Sequence, residues 1–242
     1  GGRTYRVAAT SYDMIQDWPY DVTVFSSDGT GSLLDLSSVQ SITAWGGNQR
    51  HNGSYWQNNW TYSITADNNG VIDFAGLNTV TGCRTDTYNN DDWLDFNVRN
   101  GGQIRLPALR TITRKTRWSI GVPLFELPAV TAIDSSQFTV PANGRLELGS
   151  LQSVDSTTFS LGAAATMNMP SARSLSGTSV AMADGATVSA PTLNALYGSG
   201  FNWGFNSTFD APNLTTFYNC GIGISPGRNF IVPAFTNIYS SQ

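Results

Sequence analysis

A fixed period of 21 residues runs through most of this 242-residue chain and limits what it can fold into. Each repeat has apolar residues at its positions 1, 3, 6 and 9. The repeats begin at Leu34, Ile72, Ile104, Phe125, Leu146, Met167, Val188, Phe209 and Phe230. From Ile104 to Phe230 the spacing is always 21 residues, whereas the first two repeats are longer by 17 and 11 residues. Such a period indicates an architecture in which each repeat stacks on its neighbours.

Short alternations of apolar and polar residues within the repeats predict strands. Positions 1 and 3 alternate, and so do positions 14 and 16, as in Phe138 and Val140. Alternation by two is typical of a strand with one buried face. The other positions are rich in Gly, Asn, Asp, Ser and Pro, which favour turns, and leave no room for a helix. We therefore predict an all-β, single-stranded parallel β-helix of about nine to ten coils, with three short strands per coil.

A leucine-rich horseshoe is the alternative fold with repeats of similar length. That fold requires a repeating Asn at one position and a helical or extended outer segment. Neither feature occurs at a constant place in these repeats. The β-helix is favoured for this reason.

The repeats predict one β-helix domain over residues 1–242. Residues 1–33 precede the first repeat and are expected to form an N-terminal capping region with a partial coil. The extra residues of the first two repeats fall at 45–61 and 83–93. Both stretches lie between the second and third strands, so we predict two loops at the same corner of adjacent coils.

The composition excludes several classes of partner. Charged residues make up 12% of the chain and the formal net charge is −4, so a nucleic-acid partner held by a basic surface is not expected. No run of apolar residues is long enough to span a membrane. Abundant Asn, Thr, Ser, Gly and Tyr with a single Lys is typical of a secreted bacterial protein, and we expect an extracellular or cell-surface location.

The two cysteines, Cys83 and Cys220, share one repeat position six coils apart. At about 4.8 Å per coil their backbones are expected to lie on the order of 29 Å apart, beyond the reach of a disulfide. We therefore predict two free thiols with a structural role.

The two loops combine aromatic residues with planar polar ones, which is the chemistry of a carbohydrate site. Aromatic rings contact the apolar faces of sugars, and amide, guanidinium and carboxylate groups bind sugar hydroxyls. The candidate binding residues are Trp45, Arg50, Tyr55, Trp56, Gln57, Asn58, Trp60, Tyr88, Asp91, Asp92 and Trp93. Some of these rings are alternatively needed to pack the long loops onto the solenoid.

The second loop also contains oxygen ligands of the kind that calcium prefers. Asp86, Asn90 and Asp92 are the candidates, although their spacing differs from that of an EF-hand loop. Such Asn and Asp runs are equally ordinary in turns. No other cofactor is expected.

A column of tyrosines at repeat position 10 is a second candidate binding surface. Tyr197, Tyr218 and Tyr239 stack one coil apart, at a rise of about 4.8 Å that is close to the length of one pyranose ring in an extended β-linked chain. The alternative is that these rings cap the end of the solenoid.

Residues for catalysis are sparse. His51 is the only histidine, and no Ser or Cys at a matching phase would complete a nucleophilic triad. The Gly-His-Gly and clustered Asp motifs of polygalacturonase-like hydrolases do not occur. A polysaccharide lyase or glycoside hydrolase of the pectinase-like β-helix type stays an alternative, as does a surface adhesin or stalk.

IRLPALRTI at residues 104–112 is one example of the repeat. These repeats, together with the aromatic loops of the first two coils, resemble the xylan-binding modules of carbohydrate-binding module family 89. These are non-catalytic right-handed parallel β-helices found in xylan-degrading enzymes of gut bacteria. The resemblance implies right-handed coiling, xylan or another β-linked plant polysaccharide as ligand, and no enzymatic activity of this domain. It also implies a catalytic glycoside hydrolase domain elsewhere in the parent chain. We expect the module to be a monomer.

Overall fold

The computed structural model describes residues 2–14, 21–44, 50–51, 54–55, 60–83, 92–222, 229–231 and 237–239. Every regular element in these ranges is a β-strand, and none of the described residues belongs to a long apolar helix that would cross a membrane. The chain divides into two compact units, Gly1–Val122 (unit 1) and Pro123–Gln242 (unit 2). One domain over 1–242 stays a prediction.

Unit 1 contains three parallel sheets. Its strands are β1 (Thr4–Arg6), β2 (Ser11–Met14), β3 (Val22–Asp28), β4 (Leu33–Asp35), β5 (Ser41–Ala44), β6 (Arg50–His51), β7 (Ser54–Tyr55), β8 (Thr61–Asp67), β9 (Val71–Asp73), β10 (Thr79–Thr81), β11 (Trp93–Val98), β12 (Gln103–Arg105), β13 (Thr111–Thr113) and β14 (Thr116–Ile120). The first sheet has the order β1-β4-β9-β12, the second β2-β5-β10-β13 and the third β3-β8-β11-β14. A separate antiparallel pair is formed by β6 and β7.

Unit 2 repeats this arrangement. Its strands are β15 (Leu124–Glu126), β16 (Ala132–Asp134), β17 (Ser136–Val140), β18 (Arg145–Glu147), β19 (Ser153–Asp155), β20 (Thr158–Leu161), β21 (Thr166–Asn168), β22 (Ser174–Ser176), β23 (Ser179–Met182), β24 (Thr187–Ser189), β25 (Ala195–Tyr197), β26 (Gly200–Trp203), β27 (Thr208–Asp210), β28 (Thr216–Tyr218), β29 (Gly221–Ile222), β30 (Asn229–Ile231) and β31 (Asn237–Tyr239). The first sheet is β15-β18-β21-β24-β27-β30, the second β16-β19-β22-β25-β28-β31 and the third β17-β20-β23-β26-β29.

The register of these sheets keeps equal repeat positions opposite each other. Leu146 pairs with Met167, and Met167 pairs with Val188 on the next coil. These inward side chains are fully buried, and their outward neighbours on the same strands are not. In each coil whose three strands are all described, the strands follow one another into three different sheets. The predicted all-β parallel β-helix with a 21-residue coil is therefore confirmed.

The region before the first repeat also contributes to the sheets. Residues 1–33, which we expected to form a cap with a partial coil, include β1, β2 and β3. Each of them adds a strand to one sheet of unit 1, and Tyr5 of β1 lies opposite Leu34 of β4. Tyr5 is 60% exposed at this end of the first sheet.

A ladder of buried hydroxyl groups closes one corner of unit 2. The residue that separates the second and third strands has a left-handed backbone in successive coils, at Ser135, Ser156, Gly177, Gly198 and Asn219. The next residue of each coil is Ser136, Thr157, Thr178, Ser199 or Cys220. The backbone N–H of this next residue is buried at the corner and therefore needs a hydrogen-bond acceptor within the protein. The hydroxyl one coil further on supplies it, as when Thr178 N donates to Ser199 Oγ at 3.2 Å.

Both cysteines are free, as predicted. Cys220 continues the hydroxyl ladder, because its Sγ accepts the Ser199 N–H at 3.3 Å and donates to the Tyr218 carbonyl at 3.2 Å. Cys83 is fully buried in unit 1. Burial raises the pKa of Cys83 to about 12, and the nearby Asp92 carboxylate adds to the rise. The Cys83 thiol is therefore protonated at neutral pH, which suits a structural role.

The hydroxyl ladder predicts that Ser199→Ala destabilises unit 2 while Ser199→Thr does not. Alanine removes the acceptor of the Thr178 N–H and the donor to the Tyr197 carbonyl. Leaving a buried N–H without an acceptor costs about 1–3 kcal/mol. Threonine keeps the hydroxyl and already occupies this position at Thr178. Urea unfolding measures both variants, and equal stability of the two would contradict the ladder's role.

A second prediction concerns Ala164, an exposed residue with a φ of 54° at the corner after the third strand. An L-residue pays a steric penalty there that glycine avoids, and the next coil has Gly185 at the same position with a φ of 71°. Ala164→Gly is expected to raise the free energy of unfolding by about 1 kcal/mol. Ala163→Gly is the matched control, since Ala163 is equally exposed without a positive φ, and it is expected to lower that free energy. If both variants changed the free energy of unfolding in the same direction, steric strain at Ala164 would not be the cause.

Candidate functional site

The structure describes only part of the predicted carbohydrate site. Trp60, Asp92 and Trp93 are described with their side chains, and the backbone places Arg50 of β6 opposite Tyr55 of β7. The other candidates lie outside the described residues: Trp45, Trp56, Gln57, Asn58, Tyr88 and Asp91. The same holds for the calcium candidates Asp86 and Asn90.

The ends of the two loops are joined by hydrogen bonds. Trp60 immediately precedes β8, and Trp93 begins β11, the neighbouring strand of the third sheet. The Trp93 N–H donates to the Trp60 carbonyl at 2.8 Å, and the Trp60 N–H donates to Asp92 Oδ1 at 2.8 Å. Asp92 is only 2% exposed. Both loops therefore return to the solenoid side by side, and the Asp92 carboxylate fixes that return.

The third sheet of unit 1 has an apolar inward face and a polar outward face. Tyr62, Leu94, Phe96 and Trp118 alternate inward, and the Trp118 ring stacks on Phe96 with 4.0 Å between centroids and 4° between planes. The outward residues of β8, β11 and β14 form the surface that we call the third-sheet face: Thr61, Ser63, Thr65, Asp67, Trp93, Asp95, Asn97, Arg117 and Ser119. Trp93 is the single aromatic residue of this face.

An ion pair lies at the centre of the third-sheet face. Arg117 stands opposite Asp95 in the register of β14 and β11. Its Nε donates to Asp95 Oδ1 at 2.7 Å and its Nη2 to Oδ2 at 2.8 Å, so the contact is bidentate. The Arg117 and Asp95 side chains are 39% and 17% exposed. Bidentate geometry restricts the guanidinium to one orientation.

The same arginine contacts the tryptophan. Its guanidinium carbon lies 5.2 Å from the centroid of the Trp93 ring, within the range of a cation–π interaction. Arg117 Nη2 also donates to Thr61 Oγ1 at 3.3 Å, so the side chain crosses from β14 over β11 to β8. These contacts hold Trp93 in place on the rigid sheet rather than on the loop that precedes it.

A polar cleft of about 310 Å³ adjoins the ion pair. Residues of three strands and the Asp21 side chain line it, including Thr23, Thr61, Ser63, Asp95, Asn97 and Arg99. Asp21 Oδ1 accepts the Thr61 N–H at 2.9 Å, which anchors the start of β8. The lining offers both donors and acceptors of the kind that bind hydroxyl-rich ligands.

At Asp95, the effect of burial on the carboxyl pKa outweighs the opposing effect of Arg117. Burial raises the pKa of Asp95, the hydrogen bonds and charge of Arg117 oppose this rise, and the Asp21 charge adds to it. Beneath the face, burial raises the pKa of Tyr62 to about 12, with smaller contributions from Cys83 and Asp92.

Sequence reasoning did not identify Asp95, Arg117 and Thr61. Asp95 lies two residues after Trp93 and so shares its face, which the alternation within β11 would have indicated. The 21-residue count gives the wrong orientation for Arg117. Counting back 21 residues from inward-facing Phe138 leads to Arg117, so the count predicts an inward side chain there. Two residues, Arg114 and Lys115, separate β13 from β14, whereas Ser135 alone separates β16 from β17. This extra residue places Trp118 inward and Arg117 outward.

The described part of the chain contains no group of three or more His, Cys, Asp or Glu side chains arranged to hold a metal ion. Asp92 accepts a backbone hydrogen bond and is buried, while its two partners in the calcium hypothesis lie outside the described residues. Calcium binding by Asp86, Asn90 and Asp92 stays a prediction.

Comparison with known proteins finds no matching family model, no significantly similar curated protein and no matching solved structure. The fold and its outward faces define a parallel β-helix with a polar, tryptophan-bearing surface on its third sheet. Inferences about function therefore rest on the residues of this chain.

The buried Tyr62 and Cys83 predict a loss of stability at alkaline pH. Their ordinary pKa values of 10.0 and 9.0 are both raised to about 12 in the folded protein. A raised pKa contributes stability that is present below the unfolded value and is lost as pH rises through the folded value. The urea midpoint is therefore expected to fall between about pH 9 and pH 12. Tyr62→Phe removes one of the two groups, so the urea midpoint of this variant should fall less steeply with pH than that of the wild type. The same dependence of the midpoint on pH in both proteins would show that Tyr62 does not contribute.

Proposed function

We propose that this protein binds an extended β-linked plant polysaccharide on the third-sheet face of unit 1, and that it does so without catalysing a reaction. The Trp93 ring would stack against one sugar ring, and the polar residues around it would bind the hydroxyls. Xylan is the ligand that the family resemblance implies. The residues themselves support the broader class of β-linked glycans.

One observation carries this proposal: the one aromatic residue among the outward residues of β8, β11 and β14 lies beside an arginine that a bidentate ion pair holds in one orientation. The Arg117 guanidinium contacts the Trp93 ring and binds both oxygens of Asp95. A ring held on a sheet loses little conformational entropy when a ligand binds, which favours affinity. Sugars bind proteins through such rings together with planar polar groups.

The polar groups near Trp93 match the needs of a hydroxyl-rich chain. Thr61 lies opposite Trp93, and Ser63 lies opposite Asp95 in the register of the sheet. Asn97 of β11 and Arg99, which follows that strand, extend the polar lining into the cleft of about 310 Å³. The aromatic and polar residues predicted in the loops, Trp45, Tyr55, Trp56 and Gln57 among them, are proposed to extend this surface.

The setting that we propose is a secreted bacterial protein. The composition, with its many Asn, Thr and Ser residues and one Lys, supports this origin. A catalytic glycoside hydrolase domain in the same parent chain would act on the polysaccharide that this module holds. A pectinase-like lyase or hydrolase and a surface adhesin are the competing functions, and the experiment below separates them from a binding module.

Affinity electrophoresis in gels with xylan, mixed-linkage β-glucan or pectin tests the proposal. The wild-type protein is expected to be retarded by xylan, and Trp93→Ala is expected to weaken binding by about tenfold or more, because a lost stacking contact of about 1.4 kcal/mol corresponds to that factor. Arg117→Lys keeps the charge but loses the bidentate contact, so we expect an intermediate effect.

Thr81→Ala is the matched control, since Thr81 is an outward strand residue of the second sheet of unit 1. Its retardation should equal that of the wild type, and circular dichroism should report the same fold for all variants. Unchanged retardation of folded Trp93→Ala would place the site elsewhere. Release of reducing or unsaturated ends from any of the polysaccharides would indicate an enzyme. Retardation by none of them would favour the adhesin.

A further inference from the structure

We infer that unit 2 holds a second glycan-binding site, on the outward face of its second sheet, in which Tyr197 and Tyr218 stack successive sugar rings of an uncharged, extended β-linked chain. This inference rests on the proposed function only for the class of ligand. The residues that carry it belong to unit 2, whereas Trp93 and Arg117 belong to unit 1.

The two tyrosines form one exposed column. Tyr197 of β25 lies directly opposite Tyr218 of β28, and Tyr218 lies opposite Tyr239 of β31. Tyr197 is 43% exposed and Tyr218 is 47% exposed. Large aromatic side chains bury much of their surface when they serve the packing of a protein. Exposure of both rings therefore argues against a purely structural role.

The fold does not require an aromatic residue at this position. Earlier coils of unit 2 have Asp134, Asp155 and Ser176 at the same place in the sheet, each in register with the next. Ser176 lies directly opposite Tyr197. A small or acidic side chain thus satisfies the same strand, so the tyrosines are not explained by the needs of the solenoid.

The backbone beneath the tyrosines is held firmly. The Tyr197 carbonyl accepts the Gly177 N–H at 2.8 Å and the Ser199 hydroxyl at 3.0 Å. The Tyr218 carbonyl accepts the Gly198 N–H at 2.8 Å and the Cys220 thiol at 3.2 Å. Each tyrosine is therefore fixed to the hydroxyl ladder at the corner. Platforms built on such rigid elements are preorganised for binding.

The spacing of the column matches a sugar chain that runs along the solenoid axis. Successive rungs are about 4.8 Å apart, close to the length that one pyranose ring adds to an extended β-linked chain. Two positions earlier on β25 and β28, Ala195 is buried and Thr216 is half-buried. The tyrosines are therefore the exposed residues of these two strands.

The charged residues of this face indicate which kind of polysaccharide it can bind. The column continues into Asp134 and Asp155, whose carboxylates would repel a polyanion such as a pectate but accept hydrogen bonds from hydroxyls. At the start of the strands, the exposed side chains of Gln152, Arg173 and Asn194 supply further hydrogen-bonding groups one coil apart. An uncharged polysaccharide therefore fits this face.

Two sites on one chain would act together on a polymer. When one site holds a polysaccharide, the second meets the same polymer at a raised effective concentration. Binding to long chains is then tighter than binding to short oligosaccharides.

The variant Tyr197→Ser/Tyr218→Ser tests the second site, because serine already occupies the equivalent position at Ser176. Isothermal titration with xylohexaose should give two sites on the wild-type protein and one on this double variant. Affinity electrophoresis on polymeric xylan should weaken by about tenfold or more, reflecting lost multivalency. Ser176→Tyr would add a rung to the column and is expected to tighten binding. Ser189→Ala, on the first sheet of unit 2, is the matched control.

The outcomes separate this inference from the proposed function. Loss of one site in the tyrosine variant and of the other in Trp93→Ala supports both. Wild-type stoichiometry and affinity in the folded tyrosine variant, with binding lost in Trp93→Ala, overturn the second site alone. Binding lost in the tyrosine variant but unchanged in Trp93→Ala supports the tyrosine column and contradicts the third-sheet face. Absence of glycan binding by the wild-type protein overturns both.

Discussion

Parallel strand pairing in strict register is the constraint on which the rest of the structure depends. In unit 2, a residue pairs with the residue at the same repeat position one coil away, as Val188 does with Phe209. In the third sheet of unit 1 the strands are also parallel, but β3 pairs with β8 through a register shift and β14 is offset by one residue from the repeat count. Since side chains alternate between the faces of a strand, a slip of one residue would turn the buried side chains outward. The apolar positions 1, 3, 6 and 9 therefore determine the register, and the register in turn assembles outward residues into columns.

The columns explain how a simple repeat produces different surfaces. Position 12 becomes a ladder of buried hydroxyls that satisfies the corner N–H groups, and a thiol replaces the hydroxyl at Cys220. The column before that corner runs from carboxylates to tyrosines in unit 2. In unit 1 the insertions interrupt the same corner. Trp93 and Asp95 lie on β11, at the end of the second insertion, and contact Arg117 of the neighbouring strand β14. Parallel pairing of the strands therefore produces both the buried corner of the scaffold and the two candidate binding surfaces.

The sequence allowed the fold class and the coil length to be predicted, because the period and the alternation of apolar residues reflect the strands directly. It did not reveal Arg117, since the extra residue at the preceding corner shifts the strand against the 21-residue count. The hydroxyl ladder was also missed, because Ser and Thr at that position resemble ordinary turn residues. Trp60, Asp92 and Trp93 were predicted to be site residues, which stays a prediction, and the hydrogen bond that buried Asp92 accepts from the Trp60 N–H depends on contacts between coils. Right-handed coiling stays a prediction from the family resemblance.

The central claim, that the third-sheet face of unit 1 is a glycan-binding surface, is tested most directly by nuclear magnetic resonance. Isotope-labelled protein would be titrated with xylohexaose while the backbone amides and the tryptophan indole N–H groups are followed. The account predicts that the Trp93 indole signal and the amides of β8, β11 and β14 shift progressively to saturation, and that the indole signal of core Trp118 changes least. Saturable shifts that leave Trp93 and these strands unchanged, or no shifts at any ligand concentration, would contradict it.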